Sequence, residues 1–230
     1  GWTRRITVRP GMNRLGFAGH APAARLWWPN GLGFPAVYQF TCQVRDARGR
    51  LLDRYVTNWG ARTVRAASTP RGKRSNEYSW QLVVNNRPVF VKGTNWCYPD
   101  ALLRLDRVRQ QRFIVLAKHA HIQLIRIWGG GPAENDALYD LCDEQGIMTQ
   151  QEFPMHAGHR LDVLPSYLAL EMARQSIQRL RNRPSLAIWC GSNETSGVGR
   201  IHEVLGRRSY ELDGTRPVRR TSPYGGDLHY

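Results

Sequence analysis

The sequence predicts a mixed fold, an Ig-like β-sandwich portion followed by an incomplete (β/α)8 TIM barrel, and three observations carry that prediction. Residues 1–66 set short extended runs of period-two patterning between Gly, Pro and Asn punctuation, as antiparallel hairpins of a sandwich do. Residues 67–79 are polar and apolar-poor and read as a linker. From residue 80 to 230, extended runs alternate with helical ones, the signature of parallel β/α units.

In chain order, the sandwich portion contributes the runs WTRRITVRPG, RLWWPNGLGFP and VYQFTCQVRDARGRLLDRYVTNWGARTVR. Tyr38, Phe40, Cys42 and Val44 alternate along one face, and DARGR at 46–50 is the turn. These strands are too few for a whole sandwich, so the portion is expected to be the C-terminal part of one. A hairpin, WQLVVNNRPVFVKG, turns at Asn85 and Asn86, and its second arm, residues 89–93, is expected to run inward as the first barrel strand. The first helix is expected at about residues 105–120 with Phe113, Leu116, Ala117 and Ala120 inward. IQLIRIW, IMTQQEF and SLAIWCGSN are the next strands. Between and after them come helices near residues 134–145 (Leu138, Leu141 and Cys142 inward), 166–181 and 199–212, and TRPVRRTSP approaches a fifth strand. A closed eightfold barrel takes about 250 residues, so the sequence is expected to hold only its first half. An open half-barrel would leave an unpaired edge, which points to a longer parent chain.

Composition bounds the function. Net charge is +15, from 33 Lys and Arg against 18 Asp and Glu. The cations run evenly from Arg4 to Arg220 with no basic stripe interleaved with stacking aromatics, which argues against nucleic acid. Cys42, Cys97, Cys142 and Cys190 form no C-x-x-C pair and no zinc-type spacing with His; they read as mostly buried thiols, for which a reduced interior fits better than a disulfide-stapled scaffold, and this favours a cytoplasmic compartment only slightly, leaving it undetermined. No apolar run is long enough for a membrane span. His156 and His159 form H-x-x-H beside Glu152, but on a loop this reads as solvated histidines, so no metal is expected. GGGPAE lacks the spacing of a phosphate-binding loop, and no organic cofactor is expected. Asn193-Glu194-Thr195 fits a glycosylation acceptor by coincidence of pattern. Oligomeric state leaves no mark on the sequence.

Barrel active sites lie at the C-terminal strand ends. Here those ends carry Asn95, Trp96 and Asp100; Trp128 with Gly129, Gly130 and Gly131; Glu152 and Phe153; and Asn193 and Glu194. Cleaving a glycosidic bond requires an acid beside the leaving oxygen, a second carboxylate, donors for hydroxyls and flat apolar faces for the ring. Trp, Asn and Glu supply most of that set. Glu194 equally suits a structural acid at a helix N-terminus.

Several motifs then carry a resemblance. RIWGGG (126–131), DLCDEQGI (140–147), QEFP (151–154) and RPSLAIWCGSNE (183–194) resemble glycoside hydrolase family 2, in its β-mannosidase branch. WWPNG, WGARTV and FVKGTNWCYPD resemble the end of the sandwich that precedes the barrel and the barrel's first strand, so the likeness spans almost the whole chain in order. It implies a retaining exo-glycosidase acting on a terminal β-linked sugar, most simply β-mannose, without metal or cofactor. β-Galactosidase, β-glucuronidase and exo-β-glucosaminidase specificities are the enzymatic alternatives, and a non-catalytic carbohydrate-binding remnant the other. By the same resemblance Glu194 is the general acid/base, Asn193 the residue that bonds the hydroxyl beside the anomeric carbon, Arg126 a neighbour of the nucleophile and Trp128 a subsite wall. Glu152, Asn95 and Trp96 complete the expected substrate-binding set. The triglycine is expected to turn the backbone sharply and bring it close to the ring.

The departures are specific. His121 and Gln123 replace two asparagines, Gln150 replaces a tryptophan and Glu152 an aspartate. Arg183 stands where a histidine is usual and is expected to matter only to surface packing. The nucleophile is expected from barrel strand seven, which this sequence lacks.

Overall fold

The computed structural model describes residues 1–16, 19–69, 80–131, 133–156, 166–195 and 200–223. The alternating run closes as expected into a hairpin, β1 (Tyr38–Arg45) with β2 (Leu51–Trp59), pairing Phe40 with Thr57 and Cys42 with Tyr55. Asp46 fixes its turn, accepting the backbone N–H groups of Arg48 and Arg50 at 2.9 Å each. Residues 2–10, read as extended, form no strand. A run of that kind becomes a strand only where a neighbour takes its N–H and C=O groups. Tyr38, Phe40 and Val44 remain exposed on the hairpin.

A second, three-stranded sheet has the order β3 (Val64–Ser68), β4 (Trp80–Val84), β5 (Arg87–Val89). The linker expected from residue 67 therefore begins inside β3, and residues 70–79 lie outside the described set. Asn85 (φ 49°) and Asn86 (φ 63°) both take the left-handed conformation that a tight two-residue hairpin turn demands. The arm after that turn is not the first barrel strand. β5 stays paired to β4, the chain swings out at exposed Phe90, and the barrel begins with β6 (Gly93–Trp96). Gly93 permits that start, since a Cβ there would sit 3.2 Å from the Leu124 carbonyl oxygen of the neighbouring strand.

The barrel portion is a parallel sheet of β6, β7 (Leu124–Ile127), β8 (Met148–Glu152), β9 (Leu186–Cys190) and β10 (Val218–Arg219), in that spatial order. Helices α1 (Arg107–His119), α2 (Asp136–Gln145), α3 (Ser166–Leu180) and α4 (Arg200–Leu212) make the crossovers, each within two residues of the expected span. β7, β8 and β9 are buried throughout, as parallel strands covered on both faces must be. Among the described residues no helix is long and apolar enough to cross a membrane. Asp106 caps α1 and Asn135 caps α2. Leu138, Leu141 and Cys142 face inward on α2 as expected. On α1 the buried stripe is Gln110 and Ile114, while Phe113 and Leu116 are exposed. The helix lies over the edge strand, so only a narrow stripe is covered.

At the N-terminal ends of the strands one core joins the two parts of the chain. Trp27, Leu82, Val84 and Val89 pack with Leu124, Met148 and Ile188. Trp27 is 1% exposed and donates its indole N–H to the Asp143 carbonyl at 2.8 Å. Burying such a ring contributes about 3 kcal/mol. Asn30 donates to the carbonyls of Lys118 (2.9 Å) and Ile122 (3.1 Å), closing the C-terminus of α1. Gly146 ends α2 at φ 74°, and a Cβ there would meet the Asn30 nitrogen at 3.0 Å. The WWPNG segment is thereby fixed to the base of the barrel.

Arg183 overturns its reading as a surface residue. It is 7% exposed and donates to Asp140 and Asp143, with Asp136 within 3.4 Å. Ser185 N–H donates to the other Asp143 oxygen at 2.9 Å. Burial nevertheless raises the Asp143 carboxyl to about 6, outweighing Ser185 and Arg183. Of the thiols, Cys142 and Cys190 are buried, Cys42 is half-buried and Cys97 is exposed, so the expectation of mostly buried cysteines holds for two of the four.

Candidate active site

Register decides which strand-end residues meet. Asn95 aligns with Arg126 and Arg126 with Gln150, so the three share one face of the sheet, and Glu152, two residues on, shares it too. Arg126 is 2% exposed and Glu152 1%. Arg126 donates through Nε to Glu152 Oε1 at 2.8 Å and through Nη2 to Oε2 at 3.2 Å. Its Nη1 reaches Asn95 Oδ1 at 3.0 Å, and Nη2 also donates to Asn193 Oδ1. The ion pair and the contact with Asn193 coexist on one guanidinium, whose planar fork makes several oriented bonds at once.

Asn193 and Glu194 are held by backbone from both sides. Asn193 N–H donates to the Met155 carbonyl at 2.8 Å, and Glu194 N–H donates to the Ser222 carbonyl at 2.9 Å. Glu194 adopts φ 49°, a left-handed conformation that costs a non-glycine residue about 1–2 kcal/mol. Such a conformation persists where flanking bonds over-determine it. Asn193 is 4% exposed, whereas the Glu194 side chain is exposed at the C-terminal end of β9.

Trp128, half-buried beyond β7, lies against the His156 ring with centroids 5.5 Å apart and planes 34° apart. His156 is therefore part of this cluster rather than a solvated loop histidine; His159 lies outside the described residues. Among the described residues no group of three His, Cys, Asp or Glu is placed to hold a metal. The triglycine turns as expected, without left-handed φ, and what requires glycine there is close approach to its neighbours. A Cβ at Gly130 would fall 1.9 Å from the Trp128 ring, one at Gly131 2.2 Å from Tyr98, and one at Gly129 2.7 Å from the Phe153 carbonyl.

Two expected residues lie elsewhere. Trp96 points to the helix side, 8% exposed, edge-on to Phe113 and donating its indole N–H to Glu134 at 2.7 Å. Strand alternation requires this once Asn95 faces inward, a signal present in the sequence. Asp100 takes the Leu102 N–H and the side chains of Arg104 and Arg109, and Arg104 chiefly holds its carboxyl below the usual range. It locks the loop between β6 and α1. Glu134 escaped the sequence reading altogether. It is a 1% exposed carboxyl pushed up by burial, accepting from Trp96 and Gln110 behind the site.

Parallel β/α strands that gather two glutamates, two asparagines, an arginine and a tryptophan at their C-terminal ends define a piece of a barrel enzyme's active face. Residues 79–225 match the family model described as glycosyl hydrolases family 2, TIM barrel domain. The chain belongs to that family. It is 34% identical over 190 residues to the mannosylglycoprotein endo-beta-mannosidase of Lilium longiflorum, a match covering 78% of this chain and 19% of that protein. The mouse (Mus musculus) beta-mannosidase is 33% identical over 177 residues, covering 75% and 20%. Among solved structures, the beta-D-mannosidase of Dictyoglomus thermophilum superposes with a TM-score of 0.74 at 33% identity, covering 89% of this chain and 27% of that one. The Amycolatopsis orientalis exo-chitosanase shares the fold with a TM-score of 0.71 at 20% identity, covering 86% and 23%. The chain thus spans about a fifth of the length of the curated relatives it matches.

Proposed function

We propose that this chain is the acid/base-bearing part of a retaining exo-β-glycosidase whose substrate is a terminal β-mannoside. The observation that carries the reading is the junction of Arg126, Asn193 and Glu194: an exposed carboxyl beside an amide whose oxygen is already bound by a buried guanidinium. The matched beta-mannosidases support the choice of mannose. Residues 1–66 are proposed to be the C-terminal part of an Ig-like sandwich, and residues 80–230 the first half of the catalytic barrel.

In this reading Glu194 gives its proton to the leaving oxygen, then as carboxylate takes one from the attacking water. Asn193 accepts from Arg126 through Oδ1, which leaves its Nδ2 to donate to the hydroxyl beside the anomeric carbon. Trp128 offers an apolar edge to the ring. The Arg126 cation would favour the ionised form of the nucleophile assigned to barrel strand seven. Glu152 is not that nucleophile, because both of its oxygens are engaged. The test is to assay the full-length gene product with aryl β-mannoside, β-galactoside and β-glucuronide, reading the first-formed anomer by NMR. The expected result is preferential cleavage of the mannoside with β-mannose appearing first. Inactivity on all three, or α-mannose appearing first, overturns the proposal.

A further inference from the structure

Both oxygens of Glu152 are engaged by donors of the protein itself, and neither faces solvent. Its Oε1 accepts Arg126 Nε at 2.8 Å, and its Oε2 accepts Arg126 Nη2 at 3.2 Å and the Gly129 N–H at 2.8 Å. The side chain is shut off from solvent. The buried Cys190 thiol, pushed up first by burial and then by the Glu152 charge, lies beside it. A carboxylate so enclosed acts on its neighbours, and those neighbours belong to the proposed site. Arg126, its plane fixed by two bonds to Glu152, passes a third to Asn193 Oδ1 and a fourth to Asn95 Oδ1. Gly129, held by the same carboxylate, opens the segment in which Gly130 seats the Trp128 ring.

We infer that Glu152 is a positioning residue: it sets the Asn193 amide through Arg126 and the Trp128 segment through Gly129 N–H, and it touches no substrate. The inference rests on the glycosidase reading above. Side-chain length is part of it. Aspartate is one methylene shorter, about 1.5 Å of bond length, and reaches Arg126 or Gly129 N–H but not both. Glutamine keeps the length but turns an NH2 donor towards Arg126 or Gly129, where only acceptors are satisfied.

The experiment compares wild-type full-length enzyme with Glu152→Gln, Glu152→Asp, Asn193→Ala and the double variant Glu152→Gln/Asn193→Ala on an aryl β-mannoside and its 2-deoxy analogue. A misplacement near 1 Å costs about 100-fold, so Glu152→Gln is expected to lower kcat/KM on the mannoside by about that factor. On the 2-deoxy analogue, which lacks the hydroxyl Asn193 would bond, the same substitution is expected to cost under about 10-fold. The double variant is expected to fall within about 3-fold of Asn193→Ala, because the two substitutions remove one interaction. Glu152→Asp is expected to show the same substrate dependence at smaller amplitude, and it decides the question if Glu152→Gln does not fold. Equal losses on both substrates, or losses that multiply in the double variant, overturn the inference. A wild-type enzyme inactive on every aryl glycoside overturns the glycosidase reading instead.

Discussion

Replacing Arg183 by methionine strips the buried Asp143 of the cation bonded to it and leaves it the Ser185 N–H at 2.9 Å. Removing one partner of a buried ion pair costs about 3–5 kcal/mol. The retained Ser185 bond argues for the lower end, so the expected loss at pH 7.5 is about 3 kcal/mol. Asp143 can also escape its charge. Burial already holds its carboxyl at about 6, and losing Arg183 raises it further. Between that raised value and about 6, where the wild-type carboxyl also takes up its proton, each pH unit removes about 1.4 kcal/mol of the penalty, so at pH 5 the expected loss shrinks to about 1–2 kcal/mol. Urea denaturation followed by tryptophan fluorescence at pH 7.5 and 5.0 measures both values. The double variant Arg183→Met/Asp143→Asn, with no buried charge at these two positions, is expected to recover most of the loss at pH 7.5. An equal loss at both pH values, or one below about 1 kcal/mol at pH 7.5, would refute a buried charge cluster.

Gly130→Ala forces a Cβ to within 1.9 Å of the Trp128 ring and must displace it. A fall of about 100-fold in kcat/KM on aryl mannoside is expected, with a shift in tryptophan emission. Trp27→Phe removes the indole bond to the Asp143 carbonyl and leaves a buried acceptor unpaired, an expected loss of about 1–3 kcal/mol in the same urea titration. Because Asp143 binds its proton more tightly folded than unfolded, its contribution to stability is full below about pH 4 and is lost as pH rises through about 6. Asp143→Asn is expected to abolish that slope. Glu171, held down to about 2 by Arg174, acts in the opposite sense, its contribution being lost as pH falls from about 4 towards 2.

The parallel strands were legible because each is a short buried run bounded by turn residues, and their ends pointed to Trp128, Glu152, Asn193 and Glu194, whereas Arg126, inside β7, came only from the family resemblance. What escaped depended on partners distant in sequence. Arg183 looked like a surface cation, yet Asp136, Asp140 and Asp143 fall at helical spacing on one face of α2 and form its socket. Trp96 was misplaced although period-two alternation with Asn95 contained the answer. The first barrel strand was set too early because apolar content alone does not distinguish an arm that stays with β4 from one that joins β7. Glu134 gave no signal, since burial of a lone acid follows from tertiary packing on Trp96 and Gln110.

The most direct test of the central claim, that Glu194 is the acid/base, is the rate of Glu194→Gln full-length enzyme on two substrates of different leaving group. A mannosyl bond to an activated phenol needs little protonation, whereas one to a sugar hydroxyl needs it fully. Release of the activated phenol in the first turnover is expected to stay within about 10-fold of wild type, and cleavage of the unactivated β-mannosyl oligosaccharide to fall by about 100- to 10,000-fold. Equal retention of activity on both substrates would contradict the assignment.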